Sequence, residues 1–503
     1  MLGIGDKNEK LENNLVQIRA SEGKSITLGL TAALLAILGF DVYCACYSQY
    51  LSHRDYNAFL SLFDALGVTK FIHYGTLNKL CEDMIDQNGE FRQIVEQIIS
   101  TNSFSAVQSI QRIERAKILL VDELDVFFSQ DFYGNLYTPL ANLRDPTITS
   151  LINFIWTQRN DELSLSRIKD TNEYKNCCKI FPNWEILIDE AIKDLIYDVK
   201  SFECHDYIVQ EDKIGYKEED SVVYNMTYGY KTLFAYFYEY EKKRITKKSL
   251  EERISLKIKC GSFSYGEILL QFRFILGVTG TLENLDDFKK SVIENTYNIR
   301  KKTFIPSIFG QNNLTFMSDN DIMIENRHKY FNRINTEIDN KSTGSSEKRA
   351  ILIFFESKQK LEEFYQSKAF ETKQPIVTIL KEEENFEEKE KVIRRSTMPG
   401  QITLFTRTFG RGADFIRYDQ SVNTDDGIHV IQTFLSEDCS EEIQIKGRTA
   451  RQGDKGSYSM LLLDNDLEKF FTEKEDIEKL KKNKEIQDEN RDDWPITLVY
   501  FLL

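Results

Sequence analysis

The sequence lacks the features of several protein classes. None of its apolar runs reaches the roughly 18 residues that a membrane-spanning helix needs, and the nearest, from Leu28 to Phe40, is interrupted by Thr31. The N-terminus has no apolar core of a secretory signal, and no repeat occurs at solenoid or propeller periods. We therefore expect a soluble, cytoplasmic protein in which 28–40 forms a buried helix. A peripheral position at a membrane stays open.

Paired cysteine motifs and an excess of positive charge are also missing. None of the 8 cysteines lies in a CxxC pair with a matching second pair, so the sequence predicts no zinc site and favours free thiols in a reducing compartment. Lys and Arg number 65 against 80 Asp and Glu, giving a net charge of −15. This balance argues against a protein whose main task is gripping nucleic-acid phosphates, although a local basic groove is compatible with it.

What is present is typical of a globular α/β protein. Hydrophobic residues make up 41% of the 503 positions, and this length corresponds to roughly three domains. Short runs rich in Val, Ile, Leu and Phe alternate with longer mixed segments, which favours parallel sheets. The predicted strands are DVYCACY (41–47), AKILLVDE (116–123) and, from Ala350 onward, AILIFF, QPIVTIL, QITLFT, GIHVIQTF and SYSMLLL.

Other segments break this alternation. Residues 146–260 have more tyrosine and charge and few strand-like runs, which favours a helix-rich or mixed insertion. The run DNKSTGSSEK (339–348) is typical of a domain linker. Residues 478–493 form a charge run that predicts a solvated helix or a disordered tail.

The first candidate motif is Ser21-Glu22-Gly23-Lys24-Ser25, which precedes a helical apolar run. A phosphate-binding loop needs backbone N–H groups at a helix N-terminus, a Lys for the β- and γ-phosphates and a hydroxyl for Mg²⁺. Gly23, Lys24 and Ser25 supply that ending, although Ile18 stands where the strict pattern has glycine. A helix-capping turn is the alternative.

Two further motifs follow apolar runs. Asp122 and Glu123, in Val-Asp-Glu-Leu-Asp (121–125), are predicted at the C-terminal end of a buried strand, where parallel sheets bind ligands. Asp122 is a candidate Mg²⁺ ligand, and Glu123 a candidate for orienting the attacking water. Thr279-Gly280-Thr281 could couple the nucleotide state to neighbouring parts. The alternative for residues 121–125 is a polar exit from a strand into a loop, and the alternative for residues 279–281 is an ordinary turn.

Two glycine-arginine elements lie near the C-terminus. One is TRTFGRGAD, which contains Gly410, Arg411, Gly412 and Asp414; the other is IQIKGRTARQGDKG, which contains Arg448 and Arg451. The planar guanidinium group is always charged and binds phosphate in a bidentate manner. These elements therefore predict arginines that reach a phosphate from a second domain, with plain surface loops as the alternative.

The order of the motifs is that expected of two RecA-like domains with ATP between them. The set of motifs resembles the SecA preprotein-translocase ATPases, a branch of the DEAD-type superfamily 2 motors. Beyond the motor motifs, the likeness includes residues 42–68, IHYGTLNKLCEDMI (72–85), HDYIV (205–209), residues 264–281, GIHVIQTF and KGRTARQGDKGS. It covers nearly all of residues 13–471.

The resemblance implies an α/β fold of two RecA-like P-loop domains with parallel sheets and a substrate-binding insertion in the first. The implied bounds are 1–145 and 261–310 for the first motor domain, 146–260 for an insertion that binds polypeptide, 311–471 for the second motor domain, and 472–503 for a charged tail. The implied activity is ATP hydrolysis coupled to binding or movement of unfolded polypeptide, across a membrane in the family. A translocation channel is an implied partner, and nucleic acid is not expected to be one.

The resemblance also implies roles for residues. Lys24 would hold the β- and γ-phosphates, Ser25 and Asp122 would hold Mg²⁺, and Glu123 would orient water. Arg451 would be the arginine finger, with Arg448 and Arg411 beside it. The ATP-binding set would be Ser21, Glu22, Gly23, Lys24, Ser25, Asp122, Gly410, Gly412, Asp414 and Arg448, and the coupling set would be Thr279, Gly280 and Thr281.

Departures from the family pattern leave alternatives open. Ser21 replaces a glycine, Ala413 a threonine, and Thr449-Ala450 a Ser-Gly pair. The glutamine motif that selects adenine would lie upstream of Gly3, and the scaffold helix and zinc tail have no counterpart, so we expect a truncated or shortened member. The alternatives are a nucleic-acid helicase on the same core and an inactive nucleotide-binding relative.

Overall fold

A computed structural model describes residues 11–19, 22–86, 90–101, 115–128, 132–205, 207–218, 221–223, 227–285, 287–342, 349–374, 377–380, 386–411, 413, 415, 426–436 and 439–470. The described chain falls into two compact units. The first contains described residues of 1–77, 115–129 and 270–503, and the second contains those of 78–114 and 130–269. Each unit is described by itself below.

The first part of the chain alternates strands with helices. Its elements are β1 (Asn14–Gln17), α1 (Lys24–Ile37), β2 (Asp41–Cys46), α2 (Gln49–Ala65), β3 (Ile72–Thr76), α3 (Leu77–Ile85), α4 (Glu90–Thr101) and β4 (Lys117–Asp122). The runs predicted at 41–47 and 116–123 are thus confirmed as strands, and their middle residues are fully buried, as expected for strands covered on both faces.

Helix α1 is buried on one face only. Ala32, Ala33 and Ala36 pack against the sheet core, whereas Leu30 and Leu34 are exposed by 53% and 44%. The prediction of a buried helix at 28–40 is therefore wrong for the outer face. The physical reason is that side chains four residues apart lie on the same face of a helix, so an apolar run covers faces that do not meet the sheet.

The middle of the chain, together with α4 and nearly all of α3, forms the second unit and is mixed in structure. Its elements are β5 (Leu136–Tyr137), β6 (Leu140–Leu143), α5 (Pro146–Thr157), α6 (Leu165–Lys169), α7 (Asn172–Ile180), α8 (Glu185–Ser201), β7 (Tyr207–Gln210), β8 (Lys213–Glu218), β9 (Ser221–Val223), α9 (Lys231–Glu241), α10 (Lys247–Glu251), β10 (Leu256–Lys259), β11 (Phe263–Ser264) and α11 (Tyr265–Ile268).

Among the described residues, one apolar core contains side chains from most of these elements. Helix α5 contributes Ile152 and Trp156, and α9 contributes Phe234 and Phe237, whose rings lie 5.8 and 5.4 Å from that of Trp156. Strands β6 and β10 pair antiparallel, with Leu143 opposite Leu256. The insertion predicted at 146–260 lies inside this unit, and its proposed bounds stay a prediction.

The chain then completes the first unit. The elements are β12 (Phe274–Thr279), α12 (Asp287–Ser291), β13 (Lys301–Phe304), β14 (Asn313–Thr315), α13 (Ser318–Asp321), β15 (Ile322–Glu325), α14 (Arg327–Ser342), β16 (Ile351–Phe355), α15 (Lys358–Tyr365), β17 (Val377–Ile379), α16 (Phe386–Ser396), β18 (Ile402–Thr406), β19 (Ile428–Gln432), α17 (Cys439–Lys446), β20 (Lys455–Leu463) and α18 (Asp464–Leu467).

Two parallel sheets organise the first unit. The first sheet has the order β13-β1-β12-β4-β2-β3, and all its pairs are parallel. The second has the order β14-β20-β19-β16-β18-β17, with β15 also paired to β20, and is likewise parallel. The predicted fold class, α/β with two parallel-sheet domains of the RecA-like type, is confirmed.

The linker prediction at 339–348 needs correction. Residues 339–342 belong to the last turn of α14, which is held by buried Ile338 and by ion pairs from Lys341 to Asp321 and Glu337. Residues 343–348 lie outside the described residues. The chain passes between the sheets earlier, at 305–312, because β14 already pairs with β20.

None of the helices in the described ranges is long and apolar enough to cross a bilayer. The described cysteines whose side chains are placed form no disulfide.

Candidate nucleotide site

Three predicted motifs meet at one edge of the first sheet. Strand β12 lies between β1 and β4, so the segments that follow these strands emerge side by side at their carboxyl ends. The segment after β1 carries Lys24, that after β4 carries Glu123, and β12 ends at Thr279. The strand order therefore brings together residues that lie far apart in sequence.

An ion pair stands at the centre of this edge. The Lys24 ammonium contacts Glu123 Oε1, and the two side chains are only 15% and 13% exposed. Glu123 Oε2 accepts hydrogen bonds from Thr279 Oγ1 at 3.0 Å and from the Gly280 backbone N–H at 3.1 Å. Thr281 lies behind Thr279, with their hydroxyl oxygens 3.3 Å apart. Both oxygens of the Glu123 carboxylate are therefore held in place.

The two adjacent carboxyl groups have opposite pKa shifts. Burial raises the pKa of Asp122 above its usual range, and the nearby Lys24 ammonium only partly opposes this. Burial would also raise the pKa of Glu123, but the charge and hydrogen bond of Lys24, together with Gly280 and Thr279, hold it below its usual value. Glu123 is consequently a carboxylate at neutral pH.

The start of α1 has the geometry of a phosphate cradle. Gly23 precedes the helix with φ of 93°, a left-handed conformation that favours glycine. No acidic residue lies in the first turn of α1, so Lys24 and the helix dipole both attract an anion there. Ser21 lies outside the described residues, whereas Glu22 is tied to Ser307 by a hydrogen bond of 2.5 Å.

Arginines from the second sheet line the same cavity, which has a volume of about 540 Å³. The Arg411 guanidinium lies 4.9 Å from the centre of the Tyr47 ring, and its Nη2 donates to Ser440 Oγ at 3.4 Å. Arg451 Nε donates to the Gly447 carbonyl at 2.9 Å. Both arginines share the cavity with Lys24, Ser25, Asp122 and Glu123.

Arg448 also lines the cavity but is only 6% exposed. Its Nε donates to the Gly410 carbonyl at 2.8 Å and its Nη1 to the Ala413 carbonyl at 2.5 Å. It therefore ties together the two glycine-arginine elements. Gly410 is buried beneath it and does not line the cavity, and Gly412 and Asp414 lie outside the described residues.

Sequence reasoning missed several lining residues, namely Tyr47, Arg54, Ile308, Phe309 and Gln452. Arg54 had a signal, because it belongs to the Arg-Asp pair in the segment that resembles the family. Ile308 and Phe309 had none, since apolar residues in a link between sheets carry no motif. Ser307 and Asn313 fasten this link, the first to Glu22 and the second to the Gly453 carbonyl at 2.7 Å.

The donor set fits Mg-ATP. The cavity volume lies in the usual range for small-molecule sites. It is lined by six cationic side chains, together with a carboxylate and a hydroxyl of the kind that hold Mg²⁺. Among the described residues, no hydrogen-bond donor is directed to the Asp122 carboxyl group in the structure, which leaves it suited to a cation.

Comparisons with known proteins show which family the chain resembles. Residues 10–82 match the model of the SecA DEAD-like domain. The protein translocase subunit SecA of Campylobacter concisus is 22% identical over 500 residues, which cover 92% of this chain and 54% of that protein. The Helicobacter pylori subunit is 23% identical over 503 residues, covering 92% and 53%. The chain spans about half the length of the curated relatives it matches.

The chain is also similar to several solved structures. Saccharomyces cerevisiae Dbp5 bound to RNA and ADP BeF3 is 11% identical, with a TM-score of 0.41, over 93% of this chain and 84% of that one. A DEAD box protein from Methanococcus jannaschii is 13% identical, with a TM-score of 0.33, over 94% and 86%. The family model and the SecA relatives confirm, at low identity, that the chain resembles the SecA family of DEAD-like motor proteins.

Proposed function

We propose that the chain is an ATP-hydrolysing motor that acts on unfolded polypeptide. The observation that supports this most is the shared cavity, in which Lys24 and Glu123 of the first sheet face Arg411 and Arg451 of the second. A site that both sheets complete is one whose geometry depends on the bound nucleotide, and such a dependence is what a motor needs.

The proposed roles follow from the contacts. Lys24 would exchange its Glu123 partner for the β- and γ-phosphates, which are stronger anionic acceptors. Ser25 and Asp122 would hold Mg²⁺, which supplies neutralisation of the charge that develops on the phosphates. Once Lys24 has left, Glu123 would accept a proton from the attacking water, while Thr279 and Gly280 keep its carboxylate in position.

The arginines would act on the transition state. Arg451 and Arg411 would stabilise charge on the transferred phosphoryl group. Arg448 is already committed to two backbone carbonyls, so its proposed role is to position the two elements that carry Arg411 and Arg451. The family resemblance places Arg448 in the ATP-binding set, and the positioning role is proposed in addition to that one.

Calorimetry with Lys24→Ala tests the site. Loss of the charged partner should weaken ATP binding by at least about 10- to 100-fold, since a hydrogen bond to a charged group contributes roughly 1.5–3 kcal/mol. Lys70→Ala, a change of an exposed residue in the 69–71 turn before β3, outside the cavity, is the control and should bind normally. Unchanged affinity in Lys24→Ala would refute the phosphate-loop assignment.

Polypeptide is the proposed substrate of the second unit, on the strength of the SecA resemblance and the acidic net charge. The tyrosines of this unit offer less surface than their number suggests: Tyr216, Tyr230 and Tyr236 are core residues, whereas Tyr197 and Tyr240 are exposed by 69% and 39%. Tyr224 lies outside the described residues. Exposed tyrosines provide apolar area with a polar tip, which suits loose binding of many sequences.

One observation favours a nucleic-acid helicase as a second candidate. The run from Lys242 to Lys248 is exposed apart from Ile245. Part of its charge is neutralised, because Arg244 pairs with Glu239 and Lys247 with Glu251. Phosphate contacts made by such residues would weaken steeply with salt, whereas apolar contacts with polypeptide would not.

The turnover of the full chain separates these candidates. We expect the ATPase rate to rise with an unfolded polypeptide and to stay constant with single-stranded RNA or DNA, at low and moderate salt. Stimulation by oligonucleotide that disappears at moderate salt, with none by polypeptide, would instead establish the helicase. No turnover under any condition, with ATP still bound, would establish an inactive nucleotide-binding relative.

A further inference from the structure

A cysteine and two carboxyl groups converge at the base of the nucleotide cavity. Cys46 ends β2 and Asp122 ends β4, and these strands are neighbours, with Ala45 opposite Val121. Asp55 comes from α2, which follows β2. The Cys46 Sγ and one carboxylate oxygen of each aspartate all lie within 4.8 Å of one another. We call these three residues the thiol-carboxylate cluster.

Two members of the cluster are buried, the third lines the cavity, and Asp55 is held in place by its neighbour Arg54. Cys46 is 1% exposed and Asp55 5%, and Asp122 lines the cavity. Arg54 donates to Asp55 Oδ1 from Nε at 2.8 Å and from Nη2 at 2.7 Å. Within the part of the chain that the structure describes, the Cys46 Sγ has no hydrogen-bond partner, although it is turned toward two carboxylates.

We propose that the thiol-carboxylate cluster is a binding site for a thiophilic divalent cation of the zinc type, with the fourth coordination position open to the cavity. Zinc takes thiolate sulfur at about 2.3 Å and carboxylate oxygen at about 2.0–2.2 Å in a tetrahedral arrangement. Ligand atoms at those distances are separated by roughly 3.3–3.8 Å, so movements on the order of 1 Å close the site around the ion.

The chemistry of this cluster differs from that of the proposed Mg²⁺ site. Mg²⁺ is a hard ion that takes oxygen ligands, whereas a thiolate selects softer ions such as Zn²⁺. Binding forms a metal–sulfur bond and releases the Cys46 thiol proton to solvent. The dication and the Arg54 guanidinium together balance the three anionic ligands, while Lys24 is balanced separately by Glu123. Asp122 would belong to both sites, so the two cations would compete.

The neighbouring Cys44 provides an internal control. It lies two residues earlier on β2, is 0% exposed, and stands outside the cluster. A metal bound adventitiously by buried thiols would use either cysteine, whereas the proposed site requires Cys46.

The test is a titration of the nucleotide-free full chain with Cd²⁺, which mimics Zn²⁺ and gives an ultraviolet sulfur-to-cadmium charge-transfer band. Four other cysteines are first replaced by serine. Cys178, Cys204 and Cys260 are at least partly exposed to solvent, and the side chain of Cys439 lies outside the described structure. In this background we expect one Cd²⁺ per chain, a charge-transfer band, and a melting temperature raised by Cd²⁺.

Cys46→Ser should abolish the band and weaken Cd²⁺ binding by about 100-fold or more, since even the loss of a second-shell partner costs roughly 10- to 100-fold. Cys44→Ser should retain both. Asp55→Asn keeps the thiol, so it should retain the band but require a higher Cd²⁺ concentration. This variant tests the site without changing a cysteine, and its result therefore does not depend on whether Cys46→Ser folds. Equal bands in Cys46→Ser and Cys44→Ser would overturn the proposal. The readout needs no nucleotide, so it is independent of the proposed ATPase activity.

Discussion

The two sheets of the first unit hold their cationic side chains in opposite ways. On the first sheet, Lys24 is paired with Glu123, a charged partner that a phosphate can replace. On the second sheet, Arg448 and Arg451 are held by backbone carbonyls of their own region. Under the proposed function, the first sheet would carry a lysine that exchanges partners on binding, whereas Arg448 and Arg451 of the second would be fixed before the nucleotide arrives. Each prediction below tests one side of this comparison.

The largest effect is expected at Arg451. Arg451→Ala should lower the rate of ATP hydrolysis by about 10³-fold or more, because a guanidinium group that stabilises the transferred phosphoryl group contributes roughly 10³–10⁵ in rate. Affinity should change much less, since the charge develops only in the transition state. Single-turnover kinetics and calorimetry measure the two quantities. The exposed Arg395→Ala is the control, and a variant that loses only thermal stability would favour the surface-loop alternative.

Glu123→Gln probes the exchangeable pair. We expect hydrolysis to fall by about 10²- to 10⁴-fold, the usual contribution of a group that accepts the proton. ATP should bind more tightly, because the neutral amide no longer competes for Lys24. Asp83→Asn breaks an exposed lysine–carboxylate pair and should leave both quantities nearly unchanged. Weaker ATP binding in Glu123→Gln would mean that the carboxylate organises the loop and does not oppose the phosphates.

Arg448→Ala tests the fixed side. Its loss leaves the carbonyls of Gly410 and Ala413 without their donor, and each unsatisfied buried group costs about 1–3 kcal/mol. We expect the free energy of unfolding to fall by about 2–4 kcal/mol, as measured by urea denaturation. Arg395→Ala, on the exposed face of α16, should change it by less than about 0.5 kcal/mol. Equal losses in the two variants would contradict the positioning role.

The smallest effect is a pH dependence in the second sheet. Burial, followed by the charges of Arg349 and Lys341, lowers the pKa of His429 well below its usual value; Glu337 Oε1, 3.7 Å from Nε2, does not outweigh them. The unfolded chain therefore takes up a proton below about pH 6.5 that the folded chain does not, and stability should fall by up to about 1.4 kcal/mol per pH unit as the pH drops. His429→Gln should flatten this slope in urea denaturation between pH 7 and 5. An unchanged slope would show that the imidazole is not its source.

The sequence was sufficient for the two parallel sheets and for the segments that carry the site. Buried strands are short apolar runs that local composition reveals, and the candidate ligand groups lie at their carboxyl ends, as Asp122 and Thr279 do. The family resemblance added the order of the motifs, which is not visible in any single one. Which side chains bear catalysis stays a prediction from that resemblance.

The remaining features depend on three-dimensional packing. The Lys24–Glu123 pair joins residues 99 positions apart, and the carbonyl partners of Arg448 are set by a buried loop geometry that no motif encodes. The thiol-carboxylate cluster requires the register of β2 against β4. The exposed face of α1 was missed because an apolar run does not reveal which of its faces meets the sheet.

The backbone of Glu123 has a consequence for evolutionary drift. This residue adopts φ of 73°, a left-handed conformation that costs a residue with a Cβ roughly 1–2 kcal/mol and costs glycine almost nothing. A mutation to glycine would thus relieve strain in the chain while deleting the carboxylate. The same mutation would leave the Lys24 ammonium without its partner, and removing one member of a largely buried ion pair costs about 3–5 kcal/mol. Drift toward glycine at this position is therefore opposed by stability as well as by the proposed catalytic role of the carboxylate.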